Sequence, residues 1–321
     1  MRNPHLPGWL FAVAYGAAFM LPVLVAEGTF MDGEIYSVLA RNYAVGLGDL
    51  WNPHYTVAVH DTWHEHPPAG LWLMSLAYRL LGDHPLVEHA WSLLTALLCG
   101  YLIVVVWRRL TSDEPSLRPL AWLPLLLWLM NPQVTWSYSN AMLENTMTIF
   151  VLLAVHMLLD AGERPGFPWG RALAAGAAVT AAILTKGPVG LFPLAAPALA
   201  WLVGRRTRLV RAVGVTLLAT GFVAAALGLL WLWPAARQGL GAYLDTQLVP
   251  SLTGARGGAA DWPGFLEDLL NTHLPALGLV LVALGVGWRH ALLGAVGDVH
   301  RRRAGFLLLL ALAGTLPVGA S

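Results

Sequence analysis

The sequence predicts an all-α polytopic membrane protein, and three observations carry that reading. Hydrophobic residues make up 57% of the 321-residue chain against 12% charged, and the mean hydropathy is +0.61. A soluble core of ordinary proportions could not bury so much apolar surface. The apolar residues fall into runs of the length that crosses a bilayer, about 20 residues with roughly 17 as the lower end. There are fifteen Trp, and Trp9, Trp63, Trp128, Trp136, Trp201, Trp233, Trp262 and Trp288 lie near the ends of those runs, where an interfacial aromatic belt belongs.

In order, the apolar segments lie at about Leu6–Ala26, Pro67–Gly82, Leu86–Trp107, Pro119–Thr135, Thr146–Leu159, Ala172–Leu184, Val189–Val203, Val213–Trp233, Leu274–Trp288 and Ala304–Ala320. Arg2 precedes the first, and no Ala-x-Ala-type cleavage site follows it, so it reads as a retained span. Arginines cluster at Arg108-Arg109 with Arg118, at Arg164 and Arg171, at Arg205-Arg206 with Arg208 and Arg211, and at Arg289 with Arg301-Arg302-Arg303. Arginine concentrates in cytoplasmic loops. All four clusters share a side only if the short segment Pro67–Gly82, which carries Arg79, does not cross. It reads as a helix in the outer interface, with Trp72 and Tyr78 suited to that depth and Pro67-Pro68 at its start. Nine spans follow, with the N-terminus inside. Glu27 to Pro85 form one long extracytoplasmic loop, which carries a further interfacial helix over about Ile35–Val45. Trp136–Asn145, the Thr185–Pro188 turn and a loop from about Pro234 to His273 fall on the same outer side, and Gly254–Asp261 reads as a mobile stretch of that last loop.

The net charge of +1 is spread over short clusters rather than one continuous face, which argues against nucleic acid as a partner. Cys99, alone in the chain, sits in an apolar run as an inert buried thiol, and no disulfide can form within the chain.

Ionisable groups are costly in a membrane protein unless they face water, a partner charge or a substrate, so their concentration between Asp32 and Pro68 marks a candidate active site. Asp32 reads equally as the N-cap of the helix carrying Tyr36 and Arg41 or as a catalytic carboxylate, and Glu34 as a first-turn acid. His64-Glu65-His66 offers potential metal ligands but lacks a standard zinc spacing. Asp32 with Glu65 makes a better pair: two carboxylates could divide the work of base and of ligand to a divalent metal cation. Lys186, the chain's one lysine, is followed by Gly187-Pro188, which would break the helix and open backbone N–H groups beside a compact cation. That suits a phosphate better than simple snorkelling does. Glu144 heads a span as a helix-start acid or a supporting ligand, and His89 could meet a phosphate or the headgroup layer. Asp245 and Gln247 could touch an acceptor.

These residues resemble the motifs of the polyprenyl-phosphate-dependent glycosyltransferases of GT-C type, in the branch with bacterial aminoarabinose transferases and protein O-mannosyltransferases. The family's Asp-Glu-x-x-Tyr-x-x-x-Ala-Arg is met by Asp32, Tyr36, Ala40 and Arg41, with Gly33 in place of the second acid. Its Glu-Lys-Pro-Pro is met by Glu65-His66-Pro67-Pro68, with His66 for lysine, and its Leu-Thr-Lys-Gly-Pro is intact at Leu184–Pro188. Glu144 stands where the family carries an acid in the second outer loop. The resemblance runs from about residue 5 to residue 320, and members usually continue with more spans, which makes this chain the expected N-terminal module of a longer protein.

The resemblance implies a GT-C-like transmembrane helix bundle in the bacterial inner membrane. It implies transfer of a sugar from a polyprenyl-phosphate-sugar donor to a lipid, glycan or protein acceptor at the periplasmic face. Asp32 would activate the acceptor, Glu65 would hold a divalent cation or substrate, and Lys186 and His66, with His89, would hold the donor phosphate. Tyr36, Arg41, His64, Glu144 and Asp245 would line the substrate. An imidazole at position 66 would make its phosphate contact pH-sensitive. A flippase or transporter for a polar lipid also predicts many spans with charges. Transporters, however, place ionisable groups near the bilayer midplane and often in repeated halves, whereas these lie in outer loops of a chain without repeats. A non-catalytic membrane subunit is the third reading.

Overall fold

The computed structural model describes residues 4–58, 61–166, 169–205, 207–253, 262–289 and 298–319. It is a helix bundle with one small hairpin. α1 (Leu6–Leu24) leads to α2 (Met31–Ala44), then to the antiparallel pair β1 (Gly48–Asp49) and β2 (Asn52–Pro53), then to α3 (Ala69–Leu81) and α4 (Leu86–Leu110). A 3-10 turn over Arg118–Ala121 precedes α5 (Trp122–Leu129), followed by α6 (Pro132–Ser137), α7 (Leu143–Glu163) and α8 (Trp169–Lys186). A second 3-10 segment, Pro188–Ala195, runs into α9 (Ala196–Leu202) and then α10 (Leu209–Leu232). α11 (Pro234–Tyr243), a π-helical segment over Leu244–Leu248 and α12 (Val249–Leu252) come next, and α13 (Trp262–Arg289) and α14 (Asp298–Gly319) close the chain.

Among the described residues five helices are long and apolar enough to cross a membrane: Leu6–Leu24, Leu86–Leu110, Leu143–Glu163, Leu209–Leu232 and Pro263–Val282 of α13. Other segments expected to span take broken forms. Pro119–Thr135 is divided among the 3-10 turn, α5 and α6, because the extended backbone of Asn131 ends α5 and its side chain caps α6 by accepting from the Gln133 N–H at 2.9 Å. Val189–Val203 becomes 3-10 helix and then α9, where Pro188, Pro193 and Pro197 each remove a backbone donor. As expected, Pro67–Gly82 is a short apolar helix, α3, with Pro68 at its N-cap. The helix expected over Ile35–Val45 is α2, which starts earlier, at Met31. The stretch 254–261 lies outside the described residues.

The principal core lies where α7, α8, α9, α10 and α14 meet, around Leu158, Leu159, Ala172, Ala175, Ala196, Val215 and Phe306. Small residues let these backbones approach, as in other membrane helix pairs: a Cβ at Gly176 would lie 2.8 Å from the Ala219 carbonyl oxygen. Leu10, Phe11, Leu97, Leu217 and Leu229 are exposed on the flanks, as a lipid-facing surface requires.

Charge separates to the two ends. The arginine clusters meet at one: Asp160 is held by Arg109, Arg164 and Arg171, Glu163 by Arg109 and Arg205, and Asp113 and Glu114 by Arg303. α2, the β1–β2 loop, the start of α7 and the end of α8 gather at the other.

Candidate active site

The start of α2 is fixed by its neighbours and not by Asp32. Phe30 occupies the N-cap position; its N–H donates to Asn140 Oδ1 at 2.6 Å, and Glu34 reaches back to accept from the Thr29 N–H at 2.8 Å. Asp32 therefore sits inside the first turn, half-buried and with no hydrogen bond among the described residues, so its carboxylate is left for other work. Position 33 has no room for the second acid of the related motif: a Cβ there would lie 2.2 Å from the Asn140 carbonyl oxygen and 2.7 Å from Thr29 Oγ1.

The loop after α2 is folded by its own polar groups. Asn42 Nδ2 donates to the His54 and Tyr55 carbonyls at 2.8 and 3.1 Å, and the Tyr43 hydroxyl donates to the Leu50 carbonyl at 3.0 Å. Asp49 accepts from the Trp51 and Asn52 N–H groups. Burial opposes its charge, but these bonds and the Asn52 amide win, holding the carboxyl below the usual range. His64 pairs through Nε2 with the Trp51 carbonyl at 3.2 Å, and burial holds its imidazole below the ordinary histidine value. Trp51 packs edge-on against Trp233, and its carbonyl sits where a Cβ at Gly239 would be, 2.2 Å away. Glycine thus lets α11 close over the loop.

Held this way, the loop delivers Trp63 and His66 onto α2. The rings of Tyr36, Trp63 and His66 form a triangle with centroids 5.6 to 6.0 Å apart, and His66 Nε2 lies 3.1 Å from the Tyr36 hydroxyl. Trp63, read from sequence as interfacial, is instead 6% exposed in this cluster. Burial holds the Tyr36 hydroxyl far above its ordinary pKa, and the charges of Glu144, Asp32 and Glu65 push it further the same way. Three carboxylates from three parts of the chain thus act on one phenol.

Lys186 ends α8 as an ion pair with Glu144, in the first turn of α7. The break after it is as the sequence suggested: Gly187 has φ +88° and ψ −159°, a conformation open essentially only to glycine, and the 3-10 segment starts at Pro188. The Tyr243 hydroxyl stands 2.0 Å from where a Cβ at Gly187 would be. Glu65, His66, Lys186, Tyr243, Gln247 and Ser251 supply the polar part of the wall of a cavity of about 550 Å³, and Val189, Leu191, Phe192, Ala195, Leu248 and Leu252 belong to its apolar part. The end of α11 brings Tyr243 to this wall and the π-helical segment brings Gln247, leaving Asp245 exposed, off it. Such single π turns recur at functional sites. Tyr243 was not singled out by sequence reasoning; its place beside Lys186 depends on a contact across 56 residues of chain.

Other sequence candidates lie elsewhere. Arg41 pairs with Asp83 and Glu88, each at 3.2 Å, under the ring of Tyr78, in an arrangement that braces α2 against α3 and α4. His89 is 4% exposed, with neither ring nitrogen bonded, and is not on the cavity wall. His64 is engaged with Trp51, as above. Among the described residues no three His, Cys, Asp or Glu side chains are gathered to hold a metal ion. Asp32 and Glu65, the carboxylates the sequence pairs, both bear on the Tyr36 hydroxyl.

The family model for dolichyl-phosphate-mannose-protein mannosyltransferases matches residues 65–233. The crystal structure of ArnT from Cupriavidus metallidurans bound to undecaprenyl phosphate superposes with a TM-score of 0.62 at 20% identity, covering 97% of this chain and 54% of that one. The apo state of the same protein gives 0.50 at 19% identity, covering 96% and 59%. At these identities the likeness is one of fold, the GT-C helical arrangement, and this chain spans little more than half the length of the ArnT chains. No curated protein sequence matches the chain.

Proposed function

The chain belongs to the dolichyl-phosphate-mannose-protein mannosyltransferase family, and from that premise we propose that it is an integral membrane glycosyltransferase moving a hexosyl or pentosyl group from a polyprenyl-phosphate-linked donor to an acceptor at the extracytoplasmic face. The observation that carries this reading is the cavity whose wall combines Lys186, His66 and Tyr243 with a largely apolar remainder. A lipid phosphate has the same two-part chemistry. The similar fold of ArnT, crystallised with undecaprenyl phosphate, supports the same donor class.

In this reading Lys186 meets the donor phosphate, and the apolar wall takes the prenyl chain. Asp32 accepts the proton of the acceptor hydroxyl. That oxygen forms the bond to the anomeric carbon as the carbon–oxygen bond to phosphate breaks, and the electron pair leaves with the polyprenyl phosphate. Tyr36 stays protonated, because burial and three carboxylates oppose its ionisation, and it holds His66 at the cavity mouth. A divalent cation held by Asp32, Glu65 and the donor's phosphate would neutralise charge on the leaving group. The arginine seam at the opposite end supports placing that end in the cytoplasm and the site at the periplasmic face of a bacterial inner membrane.

The test is transfer of labelled sugar from polyprenyl-phosphate donors in membranes containing wild type, Asp32→Asn or Lys186→Ala. Loss of transfer with donor binding kept in the first variant, and weakened donor binding in the second, is the expected result. If wild type consumes no donor in the full-length protein, a lipid flippase or a non-catalytic subunit displaces this reading.

A further inference from the structure

A second cavity, of about 190 Å³, lies around α6. Glu144 belongs to its wall and is also the partner of Lys186, so this carboxylate stands between the two cavities. The pocket also shares Trp128 with an apolar groove between α1, α4 and α5. The Lys186 cavity is walled instead by the second 3-10 segment, Tyr243 and the π-helical stretch, and α14.

The chemistry of this pocket is that of a neutral polyol. No Lys, Arg or His is on its described wall, so nothing there draws a phosphate. Three polar groups on it lack a partner among the described residues: Glu144 Oε2, which is buried, the Gln133 side-chain amide, and Asn131 Nδ2, whose companion Oδ1 is occupied by the α6 cap. Together they offer two acceptors, Glu144 Oε2 and the Gln133 amide oxygen, and the amide N–H donors of Gln133 and Asn131, matching the mixed donor and acceptor character of ring hydroxyls. The exposed Trp136 indole, set edge-on to Phe30 with centroids 5.1 Å apart, gives the flat apolar face that the C–H side of such a ring requires. The volume is below the about 300–1,000 Å³ of pockets for drug-sized ligands and suits a single ring.

We propose that the α6 pocket is a subsite for a neutral hydroxylated ring of the second substrate, recognised by Gln133, Asn131, Trp136 and the free oxygen of Glu144. The proposal rests on the glycosyltransferase reading for its account of why the ring meets the donor at Glu144. A ring could come from the acceptor or from the donor's own sugar; the pocket's described wall shares no residue with the Lys186 cavity, which assigns it to the acceptor.

The experiment uses the full chain in lipid nanodiscs, with methyl β-D-glucopyranoside as the ring probe and saturation-transfer NMR as the readout. Ring protons should be saturated by wild type and lose at least fivefold in signal with Gln133→Ala and with Trp136→Ala. Trp136→Phe should recover part of the signal, and thermal melts should show all three variants folded. Undecaprenyl phosphate at saturation should leave the signal in place. Absence of signal in wild type, equal signals in the folded Ala variants, or displacement by undecaprenyl phosphate would each overturn the subsite. Displacement only by the sugar-bearing polyprenyl phosphate would assign the pocket to the donor's sugar and overturn the acceptor role. Undecaprenyl phosphate binding to wild type and to Lys186→Ala is measured in parallel. Its failure would count against the donor reading, while the glycoside signal would stand or fall independently.

Discussion

The hydroxyl of Tyr243 lies 2.0 Å from the place a Cβ would take on Gly187. Glycine at 187 is thus required twice, once by this approach and once by its φ of +88°. Gly187→Ala should cost about 1–3 kcal/mol for the backbone alone and should weaken undecaprenyl phosphate binding further by displacing Tyr243. Adding Tyr243→Phe removes the clashing oxygen and not the backbone strain. The double variant should therefore regain part of the lost thermal stability and not all of it; equal melting temperatures for single and double variants would show that the hydroxyl contact carries no weight.

Restoring the second acid of the related motif should damage this protein. Gly33→Asp places a Cβ 2.2 Å from the Asn140 carbonyl oxygen, on the loop that caps α2 through Asn140 Oδ1. Overpacking of this kind typically costs about 1–3 kcal/mol. A lowered melting temperature in detergent, with no gain in divalent-cation dependence, is the expected outcome.

Glu144 competes with any phosphate for Lys186. Glu144→Gln should tighten undecaprenyl phosphate binding several-fold in a titration at low salt, because it removes the negative charge nearest the lysine. Its effect on stability should stay within about 1 kcal/mol, since the Glu144 side chain is 43% exposed and solvent screens the pair. Weaker binding in this variant would count against Lys186 as the phosphate ligand.

The His64 imidazole is held below its ordinary value by burial, against the pull of the Trp51 carbonyl and Asp49. The unfolded chain, with histidine near about 6.5, then binds the proton more readily than the fold. The stability it contributes is full above that pH and is lost as pH falls through the lower native value. Melting temperatures measured from pH 7.5 down to 5 should fall, and His64→Gln should flatten that slope.

At the opposite end, Asp160 is 5% exposed in its side chain and is shared by Arg109, Arg164 and Arg171. Asp160→Asn takes the counter-charge from the exposed Arg164 and Arg171 and leaves the partly buried Arg109 with Glu163 alone, so its cost falls below the about 3–5 kcal/mol of breaking a fully buried pair. Thermal unfolding of that variant in detergent should begin below wild type. An unchanged melt would mean that Glu163 alone suffices.

Much of this arrangement was legible in the chain. Hydrophobic runs located the helices, Gly187-Pro188 announced the break after Lys186, and arginine placement separated the two ends. What could not be read was which distant groups meet. Lys186 and Glu144 are 42 residues apart, and nothing in either segment names the other. Asp32 had the chemistry of a cap, but the cap position fell to Phe30 because the Asn140 side chain supplies the acceptor from 110 residues away. Trp63 had the composition of an interfacial belt, yet Tyr36 and His66 bury it; an indole looks the same in sequence in either setting. Gly33 read as a lost acid, where the structure has a backbone contact that excludes any side chain. Spans broken by Asn131 and by Pro193 and Pro197 kept their apolar composition, so hydropathy alone overstated their continuity.

The ion pairs of Arg303 with Asp113 and Glu114 join positions 190 and 189 residues apart. A ribosome delivers the two acids long before Arg303, with nine further described helices, α5 to α13, made in between. Arrival of α14 brings Arg303 to them, and the seam becomes a latch between two segments made far apart in the chain.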